Sequence, residues 1–443
     1  MPAGRQGIDL GFGYRLTCSH DRPGNQPLVS ILHSALDRAS IAIFPTMQRS
    51  QGKEKPFKLQ LSLNTGNFLT GRGDTNYDSV PDESARVEDH MIKEAVLYHP
   101  LEGGRVKCTA CARYCNIPEG KVGFCGVRQN IEGKLQLLVY GKVITGQIDP
   151  IEKKPVVHYH PGSKIFSIAT TGCSWACDYC QNAEISQRRK AEGIDVEPSG
   201  VVEMAMSHGC QGLAYTYNQP TIFIEYARDV GIEARKAGLM NIFVSNGYDT
   251  PDAVGMMNDF LDCITIDFKG NAETGFLRKH VMIPDAQPIF QTLLDIRDKT
   301  KIHTEITDLV IPEIGDDLDE ARKLSSWLYD NLGPDVPIHF LRFHPDYKLM
   351  HLPQTPVATL EEHCKIARSV GLRYVYVGNV PGHPWEHTYC PGCGQIAIKR
   401  YGYNILDWRL DKENRCVDCG YKLPIVGRLS SSYKEDRFLP VLN

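Results

Sequence analysis

From residue 164 the chain alternates short apolar runs with longer amphipathic stretches. The runs are KIFSIATT (164–171), GLAYTY (212–217), NIFVSNG (241–247), CITIDFKG (263–270), HTEITDLVIP (303–312), IHFLRFHP (338–345) and YVYVGNV (374–380). Between them lie stretches of helical period: TIFIEYARDVGIEARKAG, residues 251–260, residues 289–299, DDLDEARKLSSWLYDNLG and TLEEHCKIARSVG. Strands alternating with helices in this way predict a parallel α/β sheet. Six or seven such units, with chemistry at the strand ends, fit a full or partial TIM-type barrel. Periodicity alone leaves an open doubly wound sheet as the alternative. Residues 1–90 differ: NTGNFLTGRGDTNYDSVPDESARVEDH has no sustained apolar period and reads as loop or an atypical extension.

Composition narrows the class. The 443 residues carry 49 Lys+Arg against 53 Asp+Glu, a net charge of −4. That balance gives no support to a nucleic-acid partner. No apolar run is long enough to span a membrane, and the N-terminus lacks the apolar region of a signal peptide. The expectation is a cytoplasmic protein.

Cysteine is the outlier, with 15 residues. Clustered cysteines in a reducing compartment point to metal or redox chemistry. Cys18, Cys210, Cys263 and Cys364 stand alone and read as small buried hydrophobes. The rest form three clusters.

The central cluster, TTGCSWACDYCQN, spaces Cys173, Cys177 and Cys180 as C-x3-C-x2-C directly after a strand. Three thiolates can hold three irons of a [4Fe–4S] cubane, which needs four ligands to close. With no fourth cysteine nearby, one iron keeps an open position, as catalytic metals do.

This motif resembles the radical S-adenosylmethionine (radical SAM) superfamily, in the branch of the pyruvate formate-lyase activating enzymes. Within it the chain is most similar to the AmmeMemoRadiSam-system enzymes. The stretches that carry the resemblance are CNIPEGKVGFCGVRQN, TTGCSWACDYCQNAEIS, AYTYNQPTIFIEY, SNGY, IDFKG, HFLRFHPDYK and YVGNVPG, within about residues 91–425. The resemblance implies a partial (β/α)6-type TIM barrel over residues 161–385. A Cys-rich segment over 91–160 would precede it and a zinc-ribbon-like segment over 386–443 would follow. Family chains tend to begin with a stretch like the one that starts here at Met91.

The implied activity is reductive cleavage of SAM to methionine and a 5′-deoxyadenosyl radical, which abstracts hydrogen from a protein or small-molecule substrate. A narrower case is an activase of a glycyl radical enzyme; a metal-binding adaptor or nucleic-acid module is the reading from another class. Ferredoxin or flavodoxin would be the reductant, and Memo-like and AMMECR-type proteins the partners. By the same resemblance, Tyr179, Asn218, Gln219, Ser245, Asn246, Gly247, Asp267, Lys269 and His339 would contact SAM. Lys269 would meet its carboxylate, and Asp267 would hold a monovalent cation. Family members commonly carry Glu at the place of Gln219, and glutamine brings no charge to the SAM ammonium. Strand alternation puts His339 on the face opposite Arg342 and His344, which are candidates for substrate contact, as are Asn379 and His383.

Cys390 and Cys393, with Cys416 and Cys419, form two CxxC knuckles, each followed by glycine: a zinc-ribbon pattern. Cys108, Cys111, Cys115 and Cys125 are spaced C-x2-C-x3-C-x9-C. They satisfy either tetrahedral zinc or a second, fully ligated [4Fe–4S] cluster. Zinc is favoured, because the CxxC knuckle is a common zinc ligand pair and the segment lies outside the barrel.

Overall fold

The computed structural model describes residues 6–9, 15–18, 92–434 and 439–442. The first two of these stretches, Gln6–Asp9 and Arg15–Cys18, form an antiparallel hairpin within a separate unit, Met1–Ser84. The expectation of an atypical extension over the remainder of 1–90 lies outside the described residues.

The second unit is built on a nine-stranded sheet. Its strands are β1 (Thr145–Pro150), β2 (Lys164–Ala169), β3 (Gly212–Tyr215), β4 (Met240–Ser245), β5 (Cys263–Lys269), β6 (His303–Val310), β7 (Ile338–Arg342), β8 (Val375–Gly378) and β9 (Leu439–Leu442). The spatial order is β8-β7-β6-β5-β4-β3-β2-β1-β9. From β2 to β8 every neighbouring pair is parallel. β1 and β9 extend that series with antiparallel pairs. The two ends are not hydrogen bonded to each other, so the (β/α) series is an open, partial barrel.

The period of two places both faces in apolar surroundings. Tyr215, Phe243 and Ile264 share one cluster, while their chain neighbours Ala214, Ile242 and Cys263 share another. A parallel sheet covered on both faces requires this. Crossover helices α1 (Pro198–Ser207), α2 (Ile224–Lys236), α3 (Pro251–Met257), α4 (Gln287–Lys299), α5 (Leu318–Leu332) and α6 (Val357–Val370) complete the units. Two of them start with a side-chain cap: Thr250 Oγ1 accepts from Ala253 N at 3.1 Å, with Pro251 at the first helical position of α3. Asp317 caps α5 by accepting from Asp319 N and Glu320 N.

The sequence pattern anticipates β2 to β8, but not β1 or α1. β1 reads TGQIDP, with one large apolar residue, and its place is fixed by pairing with β2. Cys210, Cys263 and Cys364 are buried, as expected of isolated cysteines. Beyond the barrel, Thr388–Tyr389, Ile396–Tyr401 and Asn404–Trp408 form a small antiparallel sheet carrying the two CxxC knuckles. Among the described residues, no helix is long and apolar enough to cross a membrane.

Candidate functional site

Side chains from the C-terminal ends of β2 to β7 converge on a cavity of about 430 Å³. Its wall includes Cys173, Cys177 and Cys180, all from the loop after β2, and no other cysteine. This loop is pinned from several sides. Asn218 Nδ2 donates to Thr170 O (2.7 Å) and Gly172 O (2.8 Å). Ala176 N and Asp178 N donate to Val281 O and His280 O. Lys348 Nζ pairs with Asp178 at 2.9 Å. Cys180 Sγ lies 3.0 Å from Ser186 Oγ. Burial pushes the Cys173 and Cys177 thiols above their ordinary range; a bound metal reverses that preference by binding the thiolate.

Three thiols on one loop suit a cluster that keeps one iron open. The cavity wall supports the fit. Trp175 Nε1 and Asn218 Oδ1 are buried polar atoms without a partner among the described residues, and both residues line the cavity. Buried orphans of this kind ask for a ligand or water.

Most of the residues expected to contact SAM are gathered here. Tyr179, Asn218, Gln219, Asn246, Asp267 and Lys269 line the cavity. Tyr179 stacks on Phe276 with ring centroids 5.8 Å apart. Asp267 Oδ2 lies 3.3 Å from Lys269 Nζ, and its Oδ1 accepts from Thr307 Oγ1. Asn246 Nδ2 donates to Ser174 Oγ at 3.2 Å, tying the end of β4 to the cysteine loop. Ser245 and Gly247 sit behind this wall, where Gly247 N donates to Ser245 Oγ at 3.0 Å.

His339 is elsewhere. It bonds Glu305 Oε2 at 3.0 Å, stacks on Tyr376, and lines an adjoining cavity with Glu152 and Arg400. His344 and Asn379 reach the main cavity, whereas Arg342 donates to Thr355 O and His383 bonds Glu361.

Two groups near the cavity have no signal in the sequence. Asp249 is 4 % exposed and accepts from Gln219 Nε2, Thr221 Oγ1 and Ser245 Oγ. Burial raises its carboxyl to about 6, even against those three donors. Asp149, at the end of β1, accepts from Tyr217 Oη (2.7 Å) and Ser167 Oγ (2.9 Å) and pairs with Lys153 and Lys154. Burial alone would raise this carboxyl, but the Lys154 and Lys153 ammonium groups outweigh it and hold it at about 2. Tyr217 holds a left-handed φ of 68°, so its ring turns back under the cavity to reach Asp149.

The ribbon offers a second kind of site. The four sulfurs of Cys390, Cys393, Cys416 and Cys419 lie within 4.8 Å of one another, with Cys390–Cys419 at 3.5 Å and Cys393–Cys416 at 3.7 Å. Thiolates about 2.3 Å from one tetrahedral ion sit about 3.8 Å apart. The knuckles can therefore hold a single metal ion.

The chain is similar to several known proteins. An uncharacterized protein of Methanocaldococcus jannaschii is 41 % identical over 338 residues, covering 76 % of this chain and all of that protein. Among solved structures, a domain of pyruvate-formate lyase-activating enzyme from Bacteroides vulgatus is 14 % identical, covering 38 % of this chain and 99 % of that one, with a TM-score of 0.33. A radical SAM methyltransferase from Sphaerobacter thermophilus is 11 % identical, covering 49 % of this chain and 67 % of that one, with a TM-score of 0.39. The family model described as the radical SAM superfamily matches residues 167–324, from within β2 through the cysteine loop and into α5. On that match the chain belongs to the radical SAM superfamily.

Proposed function

We propose that the protein cleaves SAM reductively at the loop of Cys173, Cys177 and Cys180 and uses the product radical to take hydrogen from a substrate. One observation carries the reading: three thiols of a single loop, with no other cysteine, share a cavity with unpartnered buried polar groups at successive strand ends. The Cys173, Cys177 and Cys180 thiolates would hold a [4Fe–4S] cluster there, which would supply the electron for SAM cleavage.

The chain's own groups bind and orient. Asn218 Oδ1 is a buried acceptor suited to the SAM ammonium, and Lys269 is suited to the carboxylate. Gln219 is a positioning residue. Its Oε1 accepts from Asn246 N at 2.8 Å, and its Nε2 faces Asp249, so the amide joins the ends of β3 and β4. Val244, Leu309, Leu341 and Phe343 give the cavity apolar walls, which favour exclusion of water around a reactive radical. At the ribbon, the sulfur spacing supports a structural zinc ion.

The test is anaerobic reconstitution with iron and sulfide, then dithionite and SAM. Formation of 5′-deoxyadenosine is expected; binding of SAM without cleavage would defeat the reading. Deuterium exchange between 5′-deoxyadenosine and candidate substrates then identifies the target. Memo-like and AMMECR-type proteins are the first partners to assay, alongside any co-expressed glycyl radical enzyme.

A further inference from the structure

The segment before the barrel gathers the remaining cysteines. Cys108 ends the strand Val106–Cys108, and its N–H donates to Cys115 O at 3.0 Å. Cys125 returns to them through the tight turn in which Gly126 N donates to Gly123 O. Cys108, Cys111, Cys115 and Cys125 line one void of about 10 Å³, together with Arg113 and Arg128.

The spacing of those sulfurs separates the two metal readings. In the ribbon, four sulfurs lie within 4.8 Å of one another, the closeness a single ion imposes. Among the described residues, no three of the N-terminal sulfurs meet that limit. Thiolates about 2.3 Å from one zinc ion leave no gap between them. A cubane places each thiolate on a different iron at a different corner, so its four sulfurs stand wider apart around an open centre.

Charge suits a thiolate centre. Arg128 is fully buried and neutralised by Glu225 at 2.5 Å. Arg113 has no carboxylate partner among the described residues; it donates to Ser174 O and Met282 O. Its positive charge therefore stands beside the four sulfurs.

Position gives the centre a role. Both chain neighbours of Cys173 touch this segment. A Cβ on Gly172 would fall 2.6 Å from Cys125 O, so glycine is required for that approach. Ser174 lines the void itself and accepts from Arg113. The segment that carries these cysteines thus packs directly against the loop that carries the catalytic thiols.

We propose that Cys108, Cys111, Cys115 and Cys125 hold a second, fully ligated [4Fe–4S] cluster that relays single electrons to the centre at Cys173, Cys177 and Cys180. A reduced low-potential carrier protein of the ferredoxin or flavodoxin class loses one electron, and the second cluster goes from its 2+ to its 1+ state. The same electron then passes to the catalytic centre, with no proton transferred and no bond to cysteine broken. The relay rests on the proposed SAM chemistry; the identity of the metal does not.

The test uses the full chain with Cys173→Ala, Cys177→Ala and Cys180→Ala, reconstituted anaerobically. About four irons and four sulfides per chain should remain, with about one zinc in the ribbon. About two zinc and essentially no iron would overturn the cluster. Reduced flavodoxin should bleach the variant's iron–sulfur absorption and produce a paramagnetic signal; failure to accept that electron would overturn the relay. In the dithionite-reduced unsubstituted protein, paramagnetic resonance should show two centres broadened by mutual coupling. Two unbroadened, independent signals would likewise overturn it. None of these readouts depends on SAM cleavage.

Discussion

Gln219 Nε2 donates to Asp249 Oδ1 at 2.8 Å across the mouth of the parallel sheet. Both side chains are buried, and Asp249 has no cationic partner among the described residues. The resemblance noted in the sequence implies that family members commonly carry glutamate where Gln219 stands. In this chain a glutamate there would meet Asp249 carboxyl to carboxyl. Two buried carboxylates at that distance cannot both ionise. The amide and the aspartate are therefore a matched pair.

Gln219→Glu should destabilise the protein by about 3 kcal/mol, the scale of an uncompensated buried charge. Adding Asp249→Asn should recover most of the loss, because it restores one amide and one carboxyl. Thermal melting of the two single variants and the double variant forms the cycle. Additive losses would show that the two residues do not act as a pair.

The three central thiols carry the catalytic assignment. Replacing any one of Cys173, Cys177 and Cys180 with alanine leaves two ligands for a cluster that already lacks a fourth. Each variant should lose 5′-deoxyadenosine formation under dithionite. Retained cleavage in any of them would remove that cysteine from the site.

The cysteine spacing and the strand ends were legible because both are local. C-x3-C-x2-C follows a single strand, and Asp267 and Lys269 end another with the alternation intact. The Gln219–Asp249 pair was not legible, since it joins loops 30 residues apart in sequence that meet only when β3 and β4 are parallel. β1 escaped for a different reason: its buried face is polar, with Gln147 and Asp149 held by side-chain bonds that no hydrophobic period reports. His339 shows the limit of alternation. The period fixed its face, but Glu305, from the adjacent strand, decides what that face meets.

Lys269 presents a cation to the cavity beside Asp267. A charged hydrogen bond to the SAM carboxylate contributes about 1.5–3 kcal/mol. Lys269→Ala should raise the SAM dissociation constant by about one to two powers of ten. Equilibrium binding to the reconstituted protein measures it, and an unchanged constant would place the anchor on another residue.

His158 joins the barrel to the segment after the ribbon. It is wholly buried, its Nε2 lies 2.7 Å from Tyr376 Oη, and its Nδ1 lies 3.3 Å from Pro424 O. Burial lowers its pKa to about 3, against the pull of the nearby Glu305 carboxylate. The sign of the pH effect follows. Below about pH 6.5 the unfolded chain takes a proton on this imidazole that the folded protein refuses. Stability is therefore lost as pH falls from about 6.5 toward 3, and it is fully present above that window. Between about pH 7.5 and 5.5 the histidine should account for about 1.4 kcal/mol of the loss, one pKa unit's worth. His158→Gln keeps a hydrogen-bonding group near Tyr376 but cannot titrate. Its melting temperature should fall less than that of the unsubstituted protein over this interval. Parallel pH profiles for the two proteins would show that His158 is not the group that titrates.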